Sequence, residues 1–127
     1  MTSLASGTIL LVEDDEGTRT LFETALTRVG YTVHTARTGA GALTSLRAEP
    51  FDLVVMDLML PGITGPEVLD AMRQGPKTRE LPVIVVTGAT LSQRELGNLS
   101  VVTMLRKPVD PDDLVDAVYL ALQGRKA

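Results

Sequence analysis

Apolar residues in this chain fall into short dense runs separated by amphipathic stretches. The dense runs are residues 9–12, 53–56, 83–86 and 101–105, and a weaker, alternating one covers 31–36. Four or five aliphatic and β-branched residues in a row predict strands covered on both faces, as in a parallel sheet. Between the runs, apolar positions recur at three- and four-residue steps, which predicts helices. Leu21, Phe22, Ala25, Leu26 and Val29 form one such stripe. Gly30 closes it, because glycine tolerates the left-handed cap conformation. Ala40, Leu43, Leu46 and Arg47 mark a second helix that ends before Pro50. Pro66 suits a first helical turn, with Val68, Leu69 and Met72 as the buried stripe up to Gly75. The last helix has the clearest start. Asp110 is placed as N-cap, Pro111 at the first position, and Asp112 and Asp113 at the positive end of the helix dipole. Leu114, Val115, Val118, Ala121 and Leu122 give its apolar face.

Strand and helix therefore alternate five times. That order predicts an α/β fold, a parallel sheet with helices on both sides, and right-handed crossovers leave few arrangements. Sites in open sheets of this kind form beyond the carboxyl ends of the strands. Glu13, Asp14, Asp15 and Glu16 follow the first strand, and Asp57 follows the third. Thr87, with the small Gly88 and Ala89 behind it, follows the fourth, and Lys107 and Pro108 follow the fifth. Acidic groups, a hydroxyl and a lysine thus converge on one edge.

Composition narrows the field. A chain of 127 residues suits one domain. The absence of cysteine removes disulfide scaffolds, zinc ribbons, iron–sulfur sites and thiol catalysis together. Twelve basic against 16 acidic residues, net −4, argue against a basic nucleic-acid footprint. No stretch approaches the roughly 20 apolar residues of a membrane span, and residues 1–8 lack the pattern of a signal peptide. A cytoplasmic, single-domain protein is expected, with neither nucleic acid nor membrane as partner. Met1 reads as a natural start, and the sequence stops shortly after the last helix, so no output domain is expected.

The chemistry of the cluster is constrained. Carboxylates that face one another repel, and burial raises the pKa of at least one. A hard divalent cation relieves this, and Mg²⁺ prefers one or two carboxylates, waters and a phosphate oxygen. A carboxylate can also attack phosphorus to give an aspartyl phosphate. Mg²⁺ and Lys107 could supply the charge neutralisation that attack requires. Thr87 could donate to a phosphoryl oxygen, and Gly88 and Ala89 would leave room for the group. Taken singly, each residue also has a plain structural reading. Glu13 to Glu16 would be a solvated turn complementing a helix dipole, Asp57 a strand end and Lys107 a surface lysine. Asp110, Asp112, Asp113 and Asp116 read as capping and a solvated face. His34 reads as an exposed residue of the weak second strand.

Four segments taken in order carry a resemblance. They are Ile9-Leu10-Leu11-Val12-Glu13-Asp14-Asp15, Val54-Val55-Met56-Asp57-Leu58-Met59-Leu60-Pro61-Gly62, Val85-Val86-Thr87-Gly88 and Arg106-Lys107-Pro108. Together they resemble the receiver domain of bacterial two-component response regulators, over about residues 7–123. The resemblance implies a flavodoxin-like, doubly wound five-stranded sheet with strand order 2-1-3-4-5. It implies Asp57 as phosphoacceptor, with Asp14 as a direct ligand of Mg²⁺ (or Mn²⁺) and Asp57 as another. The backbone carbonyl of Met59 would be a third protein ligand, and Glu13 would act through water. It implies Thr87 as the switch hydroxyl, Lys107 as the lysine paired with the phosphoryl group, and a cis peptide at Lys107–Pro108. The implied partners are a sensor histidine kinase or histidine phosphotransfer protein and a downstream protein target. The implied chemistry is the domain's own phosphorylation and slow dephosphorylation, and no other catalysis.

The sequence also departs from that pattern. The aromatic residue usual three positions before the lysine is Met104 here, so the usual aromatic coupling cannot operate. The interval from Thr87 to Lys107 is roughly two positions shorter than is common in the family. The fourth helix is therefore expected to be short or atypical, within residues 91–98. Met59 and Ala89 occupy two positions that tune phosphoryl lifetime in the family. Neither aligns a water by hydrogen bonding, so slow self-dephosphorylation is expected. Two other functions compete. One is a phosphorylation-independent interaction module on the same fold, motivated by Met104. The other is a small phosphatase, which would generally carry a second acid where Met59 stands.

Overall fold

The computed structural model describes residues 5–88 and 103–125. Five strands, β1 (Thr8–Val12), β2 (Thr32–Ala36), β3 (Leu53–Met56), β4 (Val83–Thr87) and β5 (Thr103–Arg106), form one sheet in the order β2-β1-β3-β4-β5. Every pairing is parallel. The described helices are α1 (Glu16–Arg28), α2 (Gly39–Ala48), α3 (Gly65–Gln74) and α4 (Pro111–Arg125). The helix expected within residues 91–98, and Ala89, lie outside the described residues.

Alternation along each strand divides the core in two. Leu10, Val12, Val54, Met56, Val83 and Val85 face α2 and α3, meeting Ala42, Leu46, Val68, Leu69 and Met72. Ile9, Leu11, Leu53, Val55, Ile84 and Val86 face the other way, against Phe22 and Leu26 of α1 and Leu114 and Val118 of α4. Each such fully buried aliphatic side chain contributes about 1.5–3 kcal/mol. This two-sided burial is why β1, β3 and β4 read as unbroken apolar runs. β5 differs: it is an edge strand, and Thr103, Met104 and Leu105 are only half-buried. For residues 103–105 the expectation of burial on both faces does not hold: among the described residues the strand has a neighbour on one side only.

The helix ends follow local chemistry. Asp15 caps α1, its carboxylate accepting from the Thr18 amide at 2.9 Å. At the other end, Gly30 has φ +113°. Its N–H donates to the Thr27 carbonyl, and the Tyr31 N–H donates to that of Leu26. This paired closure is the Schellman motif. Thr64 and Glu67 form a reciprocal capping box at the start of α3. Asp110 accepts from the Asp112 amide at 2.8 Å, as its expected cap role requires. One stripe residue was misplaced by periodicity: Leu21 is 51% exposed, while Arg19, Phe22 and Leu26 are buried. The rest of the predicted stripe faces inward, with Phe22 and Leu26 buried and Ala25 and Val29 half-buried.

Candidate functional site

The sheet order reverses direction between β1 and β3, and the crevice beyond their carboxyl ends is where such folds place ligands. Glu13 and Asp14 leave β1 there, and Asp57 leaves β3 beside them. The backbone locks the two ends together, since the Asp57 N–H donates to the Val12 carbonyl at 3.1 Å. Glu13, Asp14 and Asp57 each offer a carboxylate oxygen, all within 4.8 Å of one another. Glu13 and Asp57 are buried, whereas Asp14 is exposed.

Lys107 reaches this group from the far side of the sheet. β5 lies two strands from β3, about 10 Å at ordinary strand spacing, so only a long side chain following β5 can arrive. Its Nζ lies 2.7 Å from Asp57 Oδ2 and 2.9 Å from Glu13 Oε1. The other Asp57 oxygen, Oδ1, accepts from the Met59 N–H at 2.9 Å. Glu13 Oε2 accepts from the Asp15 N–H at 3.1 Å. Burial pushes the Glu13 carboxyl above its usual range, against the pull of Lys107 and the Asp15 amide. Burial alone would lower the Lys107 ammonium, but its bonds to Asp57 and Glu13 outweigh that and raise it. Two buried anions sharing one cation leave a net negative pocket, suited to a further cation.

The remaining site residues fall into place around this centre. Thr87 is fully buried at the end of β4, and its carbonyl accepts from the Lys107 N–H at 2.9 Å. The Lys107–Pro108 peptide is cis. Met59 is 65% exposed at the mouth of the site. Met104 pairs with Val85 across the β4–β5 ladder and packs against the α2–α3 side of the core. Asp15 is drawn away from the cluster. Its carboxyl is held below its usual range by the Thr18 hydroxyl and amide, the capping role of an N-terminal acid. His34 lies outside the site, 3.0 Å from Glu49 and edge-on to Phe51.

Two supports escaped the sequence reading. Arg19 is buried and donates to the carbonyls of Glu13 and Asp14. A signal existed, because 19, 22 and 26 continue one helical stripe, and a basic residue on a buried stripe must find acceptors. The second support is a pair of close approaches. A Cβ on Gly65 would lie 2.5 Å from Leu58 Cα and 2.9 Å from the Asp57 carbonyl oxygen. One on Gly39 would strike the Ile63 carbonyl. Glycine is therefore required at both places for α2 and α3 to press on the segment that follows Asp57.

Comparison with known proteins agrees with this geometry. The family model for the response regulator receiver domain matches residues 9–119. The transcriptional regulatory protein AfsQ1 of Streptomyces coelicolor is 39% identical over 117 residues, covering 92% of this chain and 46% of that protein. Sporulation initiation phosphotransferase F of Bacillus subtilis is 32% identical over 118 residues, covering 91% of this chain and 95% of that protein. The chemotaxis response regulator CheY4 of Vibrio cholerae superposes with a TM-score of 0.86 at 26% identity, covering 92% of this chain and 99% of that one. The chain spans about half the length of AfsQ1 and of the response regulator ArlR of Staphylococcus epidermidis (52%). Receiver domains work as signalling modules that meet histidine kinases or phosphotransfer proteins. With its strand order, its acidic crevice and the match over residues 9–119, this chain belongs to the response regulator receiver domain family.

Proposed function

We propose that this chain accepts a phosphoryl group on Asp57 from a phosphohistidine of a sensor histidine kinase or histidine phosphotransfer protein, and signals by protein–protein contact. The observation that carries this is the Asp57 carboxylate itself. It is buried, fixed by Lys107 on one oxygen and the Met59 N–H on the other, and flanked by two further acids. An Asp57 oxygen bonds to phosphorus as the P–N bond to the donor imidazole breaks, and the imidazole keeps the electron pair. Lys107 already sits on Asp57 and balances charge as it grows on the phosphoryl oxygens. Thr87, buried at the end of the neighbouring strand, would donate its hydroxyl to that group.

Asp14 and Asp57, with the Met59 carbonyl and with Glu13 through water, would hold Mg²⁺ or Mn²⁺. An all-oxygen donor set with more negative charge than one lysine balances fits such hard cations. When bound, the cation supplies Lewis-acid neutralisation of the phosphoryl oxygens.

The proposed pathway is cytoplasmic, and the chain acts in it by protein contact or as a phosphoryl shuttle, with neither nucleic acid nor membrane as partner. Among the described residues no helix is long and apolar enough to cross a membrane. Transfer of labelled phosphoryl from a phosphorylated histidine phosphotransfer protein tests the reading. Label should move to the wild type in the presence of Mg²⁺ and not to Asp57→Asn. A second reading, a phosphorylation-independent interaction module, draws on Met104, which is half-buried against the core and has no polar tip. It requires partner binding unchanged in Asp57→Ala.

A further inference from the structure

We propose that Arg19 is the positioning residue of the acidic pair: its guanidinium grips the carbonyls of Glu13 and Asp14 and so sets the carboxylate geometry that admits the divalent cation. This rests on the cation-dependent reading of the site given above.

The placement of Arg19 is electrostatically awkward. It is the fourth residue of α1, close to the positive end of the helix dipole, where a cation is disfavoured. It is also buried, at 8% exposure, and arginine is rarely buried without partners. The acceptors that offset both costs are main-chain oxygens. Nη1 lies 3.0 Å from the Glu13 carbonyl and 3.4 Å from that of Asp14. Helical side chains lean toward the N-terminus, which aims residue 19 back over its own cap at the segment leaving β1.

That segment has few other restraints. The Glu13 N–H continues the β1–β2 ladder to the Ala36 carbonyl, and the Asp15 carboxylate is occupied in capping α1. The two residues between strand and cap carry the two acids. Lys107 holds the Glu13 side chain, while Arg19 holds the main chain beneath it. Both bonds leave one nitrogen, Nη1, so a lysine ammonium keeps part of the grip but lacks the fixed planar orientation of the guanidinium.

The test uses Arg19→Ala and Arg19→Lys in the full chain. Mg²⁺ affinity is read by amide-shift titration with MgCl₂. Exchange of the Asp15 amide, which donates to Glu13 Oε2, is read in EDTA. Loss of an outer-shell support typically weakens metal binding about 10- to 100-fold. Arg19→Ala should show a loss of that order together with faster Asp15 exchange. Arg19→Lys should fall between the two proteins, and it carries the test if the alanine variant fails to fold. Unchanged affinity and unchanged exchange in a folded variant would overturn the proposal. If wild type binds no Mg²⁺, the cation claim falls with the site reading. Faster exchange in the variant would then still separate that failure from a failure of the grip.

Discussion

Replacing Gly65 with alanine sets two known terms against each other. Alanine at the start of α3 gains at most about 1 kcal/mol over glycine in helix propensity. The new Cβ, however, would sit 2.5 Å from Leu58 Cα and 2.9 Å from the Asp57 carbonyl oxygen. Ordinary contact begins near 3.4 Å, so α3 and the Asp57–Leu58 backbone must separate by about 0.9 Å. Neither obstacle is a side chain that can rotate away. With two backbone obstacles the cost lies in the upper part of the about 1–3 kcal/mol typical of overpacking, about 2–3 kcal/mol, so the clash wins by roughly 1–2 kcal/mol. For a domain of this size that lowers Tm by on the order of 3–10 °C. The displaced residue is the proposed acceptor, and a misplacement near 1 Å can cost about 100-fold in rate. Gly65→Ala should therefore melt lower and take phosphoryl from acetyl phosphate at least roughly tenfold more slowly. Gly17→Ala is the control, because its Cβ would meet only an Asp15 oxygen at 3.6 Å. It should be neutral or slightly stabilising. Equal or higher stability in Gly65→Ala would refute the close-packing account.

Other expectations follow from single contacts. Thr64→Ala removes the α3 capping box and should cost about 1 kcal/mol in urea unfolding, with no change in denaturant slope. In metal-free protein, the Glu13 carboxyl is raised above its reference of 4.5, so the folded state holds that proton more tightly than the unfolded chain. This contribution is full below pH 4.5 and is lost as pH rises through the folded value. Glu13→Gln should flatten the fall of the urea midpoint with pH over that window, and an identical slope would contradict the assignment. Met59→Asn places an amide that can orient water where an exposed thioether now stands, so it should shorten the lifetime of the phosphorylated protein measured by intact mass.

Much of this was legible before the fold was known, for reasons particular residues show. Strands β1, β3 and β4 are buried on both faces, so their only polar residues stand at strand ends, Thr8 and Thr87. The acids, Thr87 and Lys107 follow strand ends, and a parallel sheet gathers strand ends on one edge. The weak pattern of β2 reflects its edge position, with Thr32 and Thr35 exposed. Leu21 was misassigned because two adjacent leucine or phenylalanine positions satisfy a helical stripe equally, and only packing chooses Phe22. The bonds of Arg19 and the close approaches of Gly39 and Gly65 are tertiary. Nothing local says that a glycine at a helix start must admit the main chain of residues seven positions earlier.

The central claim is that Asp57 takes a phosphoryl group with a divalent cation at the acidic crevice. Intact-protein mass spectrometry after incubation with acetyl phosphate tests it most directly, in MgCl₂ and in EDTA, alongside Asp57→Asn. The account predicts one phosphoryl adduct in MgCl₂ that is lost in EDTA and lost in the variant. An adduct that persists in Asp57→Asn, or none in folded wild type with Mg²⁺ present, would contradict it.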